Sequence, residues 1–461
     1  MAIVGAFMVP HPPLIVPEVG RGGEKQIEAT ARAYEQVAEE IAELRPETII
    51  LPSPHTGVYV EYFHISPGSE AHGSFKSFGA PQVSFTQEYD KELADMIEYL
   101  AIMKNFPAGT SGERLKEFDH GVMVPLYFIR KKWTDFRLVR MGFSCQPLTE
   151  HYKMGQIIRE AVERLGRRAV FVASGDLSHR LKKDGPYGLS PEGPVYDERI
   201  MDVCGRGAFG ELFDFSERFR DKAGECGHRS FVIMAGALDG VAVEAKALSH
   251  EGVTGVGYGI CTFKPKGPDE SRHFLEQYTR RMEAEMKEKR EKEDAFVRLA
   301  RMSVESIVRF GQKLPMPEDL PLELTYPRAG VFVSIHKFGR LRGCIGTIQP
   351  VRSCVAEEII ENAVNAATRD PRFDPITEKE LEWLDINVDV LGDPEPIDSP
   401  EQLDVKRYGV IVSAGGQRGL LLPDLEGVDT VHDQIDIARR KAGIRIGTKM
   451  KLERFEVIRH T

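Results

Sequence analysis

Three histidines stand where apolar runs of the chain end. His11 follows Ile3–Val9 in Pro10-His11-Pro12-Pro13, His55 follows Thr48–Leu51 in Pro52-Ser53-Pro54-His55, and His179 follows Ala169–Ala173 in Ser174-Gly175-Asp176-Leu177-Ser178-His179. Imidazoles gathered at one cleft are what a metal site or an acid/base site needs, because the neutral ring offers a lone pair and titrates near neutral pH. Two further stretches carry compatible groups. In Asp119-His120-Gly121 an acidic residue beside a histidine can orient an imidazole or hold its proton, and an aspartate capping a helix accounts for the pair equally well. In Glu225-Cys226-Gly227, ahead of the apolar run Phe231–Leu238, either Glu225 or Cys226 is a candidate ligand; the other role for Glu225 is a favourable charge at a helix N-terminus. His64 and His72 lie in an irregular stretch without a motif and read as surface or supporting residues.

The elements around these residues explain why they would meet. A proline cluster stops a strand and cannot start a helix at once, so His11 is left at the strand's carboxyl end. Glu24 to Leu44 has helical spacing and leads into the strand Thr48–Leu51, which makes a βαβ unit and puts both strand ends on one edge of a parallel sheet. Helices from Tyr89 to Met103 and Tyr152 to Leu165 alternate with strands Phe136–Phe143 and Ala169–Ala173. His179 therefore reaches the same edge, where open α/β sheets bind ligands. A helix over Val195 to Leu212 and a last strand, Val253 to Phe263, complete an α/β domain.

At 461 residues the chain needs two or three domains. We expect a first domain over 1–265, a charged helical linker over 266–286, and a smaller α+β domain over 287–461. The second domain contains hairpins around Phe338-Gly339 and Gly415-Gly416, a helix from Val355 to Ala367 and a strand from Ile386 to Leu391. In it Cys344 is a candidate reactive thiol, with Arg342 near enough to favour thiolate; a buried structural cysteine is the commoner fate. With 61 basic and 71 acidic residues, nucleic acid is excluded as a main partner. No apolar stretch approaches the length of a membrane span. Six cysteines without a CxxC pair fit a cytoplasmic protein with free thiols.

The motifs quoted for residues 1 to about 265 resemble the class III extradiol ring-cleavage dioxygenases of the LigB type and the related Memo family. Leu341-Arg342-Gly343-Cys344-Ile345-Gly346-Thr347 and Arg369-Asp370-Pro371-Arg372-Phe373 resemble the AMMECR domain. Together the halves look like the A-component family of AmmeMemoRadiSam systems. The resemblance implies an oxidoreductase that opens a catechol-type ring with dioxygen at non-haem Fe(II), held by two histidines and a glutamate: here His11, His55 and Glu225. It makes His179 the acid/base, supported by His120, with Asp119 and Asp176 behind them. One departure matters. Memo-like members place a cysteine before the glycine, as Cys226 does here, and side chains of adjacent helical residues diverge by about 100°, so one of Glu225 and Cys226 reaches the metal. A Cys226 ligand would make the site softer, suiting copper or zinc. The other function implied is a metal-binding, non-oxygenase component that works with a radical SAM protein; the sequence leaves the oligomeric state open, a homo-oligomer included.

Overall fold

A computed structural model describes residues 3–112, 117–425 and 427–461 and divides the chain into two compact units, one ending at Thr279 and one spanning Arg280–Thr461. The strands of the first are β1 (Ile3–Val9), β2 (Thr48–Pro52), β3 (Phe63–His64), β4 (Glu70–Phe75), β5 (Ala80–Glu88), β6 (Ala108–Gly109), β7 (Arg137–Met141), β8 (Ala169–Ser174), β9 (Val241–Glu251) and β10 (Tyr258–Pro268). The main sheet has the order β7-β2-β8-β1-β10-β9. Its first four strands are parallel, and β10 and β9 extend it antiparallel. β8 lies between β1 and β2, so the three histidine-bearing strand ends are neighbours.

Alternation along the strands sorts the core onto two faces. The helices are α1 (Pro17–Gly20), α2 (Glu28–Leu44), α3 (Lys91–Met103), α4 (His120–Arg130), α5 (Leu148–Leu165), α6 (Glu192–Arg206), α7 (Glu217–Ala223), α8 (His228–Ala237) and α9 (Phe274–Lys292). Phe7, Val9, Ile49, Leu51, Val170 and Val172 pack against Tyr34, Val37 and Ile41 of α2 and Val122, Leu126 and Ile129 of α4. Met8, Ile50, Phe171 and Ala173 face the other way, onto Leu93 and Ile97 of α3, Ile158 of α5 and Phe231 of α8. Each fully buried large side chain contributes roughly 1.5–3 kcal/mol. Both faces are covered, so the open carboxyl edge is where a site can form.

Some expectations need correction. The domain closes with two antiparallel strands, β9 and β10, in place of the single strand expected over 253–263. β9 (VAVEAKALSHE) is a half-exposed edge strand rich in Ala, Glu and Lys, residues that are depleted in strands. The helix read over 195–212 is α6, starting and ending earlier, followed by a 3-10 turn over Phe209–Asp214. Segment 266–286 consists of the end of β10, a short turn and the first part of α9.

The second unit holds an antiparallel sheet of β11 (Val331–Lys337), β12 (Arg340–Gly346), β13 (Leu384–Leu391), β14 (Glu395–Ile397), β15 (Tyr408–Ala414), β16 (Gln417–Leu421) and β17 (Lys451–His460). Its order is β12-β11-β13-β17-β15-β16, with β14 also on β17. The β11–β12 turn places Phe338 and Gly339 at φ 52° and 74°, the left-handed pair that suits a tight hairpin. Helices α10 (Ala295–Phe310) and α12 (Val355–Thr368) pack together on β13 and β11, α11 (Leu322–Thr325) packs on α12, and α13 (Val431–Lys441) packs on β15 and β16. Sequence reading did not include α13 or β17, whose apolar residues are few and whose surfaces are largely charged.

Candidate metal centre

His11, His55 and Cys226 converge: His11 Nε2 lies 3.1 Å from His55 Nε2 and 3.6 Å from Cys226 Sγ. All three donor atoms lie within 4.8 Å of one another. His11 is buried, Cys226 is half-buried and His55 is exposed, so the site opens on the His55 side.

The ladder that ends β1 and β8 fixes His11. The Gly175 N–H donates to the Val9 carbonyl at 2.9 Å, and His11 N–H donates to Asp176 Oδ1 at 2.7 Å. His11 Nδ1 lies 3.0 Å from Ser174 Oγ, whose own proton goes to the Gly121 carbonyl at 2.6 Å. The serine must therefore accept from Nδ1–H, which leaves the Nε2 lone pair aimed at the site. This is how a metal-binding imidazole is oriented. Burial, reinforced by His55 and His120, holds the His11 pKa well below the ordinary histidine value, so the ring is neutral.

Asp119 does more than cap α4. One carboxylate oxygen accepts from Ser53 Oγ at 2.6 Å and from Val122 N at 3.2 Å; the other accepts from Thr56 Oγ1 at 2.8 Å and Arg140 Nη2 at 3.4 Å. It thus fastens the 53–56 loop that carries His55. Burial opposes the charge, but Arg140 and the two hydroxyls outweigh it and hold the carboxyl below its usual range. His120 lies against the metal-side rings, its centroid 4.0 Å from His55 and 5.3 Å from His11. Burial, with His55, pushes its pKa down to about 4.

Glu225 is not brought to the site. It is paired with Arg220 at 3.3 Å, both side chains 5% exposed, and its other oxygen accepts from His228 N–H at 2.7 Å at the start of α8. Glu225 and Cys226 precede α8 rather than lie in it. The carboxylate is spent on a buried cation and a helix start, away from its expected place beside the two histidines; the side chain brought to them is that of Cys226. The Cys226 loop comes close because Gly175 meets Gly227: a Cβ on Gly175 would stand 2.0 Å from Gly227 Cα. Burial, together with Asp176 and Glu225, raises the Cys226 thiol well above its ordinary pKa.

His179 Nδ1 lies 2.6 Å from the Gly224 carbonyl, an acceptor only, so Nδ1 carries the proton and Nε2 is a free base in the neutral ring. Its ring meets Tyr187 edge-on at 5.2 Å. Asp176 is buried and its carboxyl is raised by burial, against the His11 N–H and the surrounding histidines. Sequence reasoning missed Ser174, Arg140 and Tyr187. Ser174 alone had a signal, as the last residue of a strand that ends in the motif. Of the two roles read for His64 and His72, surface or supporting, burial rules out the first for His64, whose ring nitrogens have no hydrogen-bond partner among the described residues; His72 is exposed.

In the second unit Arg342 does not serve Cys344. Its guanidinium pairs with Glu380 at 2.9 Å and donates to the Asp374 carbonyl at 2.7 Å. Cys344 Sγ accepts from Ser334 Oγ at 3.2 Å, and the outward backbone of the edge strand is capped by side chains: Cys344 N–H donates to Asp370 at 2.8 Å and Arg372 donates to the Cys344 carbonyl at 3.3 Å. The Arg369–Phe373 motif thereby protects a sheet edge.

The two imidazoles and the thiol suit one transition-metal ion of borderline or soft character, with a thiolate where a facial triad has a carboxylate. Residues 5–261 match the family of the catalytic LigB subunit of aromatic ring-opening dioxygenase, and residues 297–460 match AMMECR1. Protein CA_C1420 of Clostridium acetobutylicum is 42% identical over 468 residues, spanning 100% of this chain and 99% of its own. A Thermotoga maritima protein is 50% identical over 153 residues, 33% of this chain and 88% of that one. The crystal structure of uncharacterized protein PH0010 from Pyrococcus horikoshii is 32% identical, covering 36% of this chain and 88% of that chain at a TM-score of 0.34.

Proposed function

We propose a function from the premise that the chain belongs to the LigB family, that of the catalytic subunit of aromatic ring-opening dioxygenases, with an AMMECR1 domain behind it. The N-terminal unit is an oxidoreductase that acts on a small catechol-type aromatic with dioxygen, using one metal ion held by His11, His55 and Cys226. The observation that carries this reading is the convergence of those three donor atoms, with the His179 imidazole close enough to act electrostatically on His11 and His55 and its Nδ1–H committed to Gly224.

A bound metal would supply Lewis acidity toward a substrate hydroxyl and, as iron or copper, redox capacity. The remaining work belongs to the chain's own groups. His179 takes the hydroxyl proton at Nε2, since its Nδ1–H is committed to Gly224. His120, neutral at pH 7, lines the site without adding a positive charge that would hold off a metal. The test is anaerobic purification with metal analysis, followed by oxygen uptake over a panel of catechols. One iron per chain with uptake lost in His179→Ala supports the reading; no uptake on any catechol sinks it.

A second reading is favoured by the thiol of Cys226 in place of a carboxylate. The unit then holds copper or zinc as a non-oxygenase component that works with a radical SAM protein. Tight copper or zinc, with no oxygen uptake, would select it.

A further inference from the structure

The segment Asp176–His179 follows β8 and carries an imidazole that acts electrostatically on His11 and His55, with no strand or helix to satisfy its backbone. Its groups are tied one by one. Leu177 N–H donates to the Gly257 carbonyl at 2.9 Å, Gly257 N–H donates to the Ser178 carbonyl at 2.7 Å, and Ser178 Oγ donates to the Ala223 carbonyl at 2.7 Å. Gly227 N–H donates to the Asp176 carbonyl at 3.1 Å and His179 N–H to the Gly224 carbonyl at 3.3 Å, and one further tie is to a side chain on another element. Ser178 N–H, the donor directly before His179, reaches Asp197 Oδ1 of α6 at 2.8 Å.

Asp197 has one place to be. Its side chain is 2% exposed, and its second oxygen accepts from His250 Nε2 of β9 at 3.0 Å. Opposite, a Cβ on Gly257 would stand 1.9 Å from Asp197 Oδ2, so glycine there is what admits the carboxylate. A buried carboxylate is costly unless each oxygen accepts hydrogen bonds, and here both do. Without it, the buried Ser178 N–H would have no acceptor, and the segment would have to shift to find one. The next residue in line is His179, whose ring makes a hydrogen bond to Gly224 and an edge contact with Tyr187.

We propose that Asp197 is the positioning residue of His179: through Ser178 N–H it holds the segment so that His179 keeps Nδ1–H on the Gly224 carbonyl and leaves Nε2 as the nitrogen with the lone pair. This rests on the reading of His179 as the proton acceptor, but it is tested without that activity. In the full-length, metal-free chain with 15N-labelled histidine, the imidazole nitrogen shifts report the tautomer of each ring; His179 is assigned by comparison with His179→Gln.

Wild type is expected to show one Nδ1–H tautomer for His179. Asp197→Ala, or the volume-filling Asp197→Leu, removes the acceptor and gives averaged tautomer shifts, while Asp197→Asn, which keeps an oxygen for Ser178 N–H, restores the wild-type signal. An unchanged His179 signal in either acceptor-free variant overturns the proposal. So does loss of the signal in Asp197→Asn, since charge rather than the acceptor would then be what matters. Failure of the catechol assay in wild type would overturn the reading of the site and leave these spectra as they are.

Discussion

Cys226 Sγ lies 3.6 Å from His11 Nε2, while the carboxylate one residue earlier turns away to Arg220. Metal content should follow that relationship. Cys226→Ala is expected to lose the metal on dialysis, whereas Glu225→Gln keeps it and instead loses about 3 kcal/mol of stability, because a buried guanidinium is left unpaired. Metal per chain and urea unfolding, measured on both variants, check the two halves.

Proton release gives a second prediction. His11, His55 and His120 are all held below the ordinary histidine pKa, so they are neutral at pH 7 and give up no proton to a metal. The Cys226 thiol is raised, so it enters the metal site by losing one. Calorimetry at pH 7 in buffers of different ionisation enthalpy should therefore find about one proton released per metal, with affinity rising as pH rises. Release of none would mean that sulfur is not a ligand.

Asp119 joins stability to the site. Its folded carboxyl lies below its unfolded value of about 3.9, so its stabilisation is full above that pH and is lost as the pH falls through the folded value. Asp119→Asn should flatten the acid limb of the stability curve. Asp119→Ala should destabilise the fold, because the Ser53 and Thr56 hydroxyls and the Arg140 guanidinium lose a buried carboxylate acceptor, and should weaken metal binding about 10–100-fold as the His55 loop loosens. Acid titration of unfolding and a metal-competition assay measure these effects.

What the sequence disclosed was the part governed by local rules. Strand ends marked by proline and histidine showed His11, His55 and His179 because a parallel sheet sends every carboxyl end to one edge. The sequence alone did not choose between Glu225 and Cys226, because the choice is made by Arg220, which is five residues away in the chain and buried against the carboxylate only after folding. Asp197 and Arg140 were invisible for the same reason: each acts on the site across elements, through bonds to the 176–179 and 53–56 segments. In the second unit Arg342's commitment to Glu380 was not legible either, because the partner lies 38 residues further along the chain.

The central claim, that His11, His55 and Cys226 together hold one metal ion, is tested most directly by X-ray absorption at the metal edge of the reconstituted full-length protein. The account predicts one sulfur scatterer at about 2.3 Å and imidazole nitrogens at about 2.0–2.1 Å, with the sulfur lost in Cys226→Ala. A first shell of nitrogen and oxygen alone in the wild-type protein would contradict it.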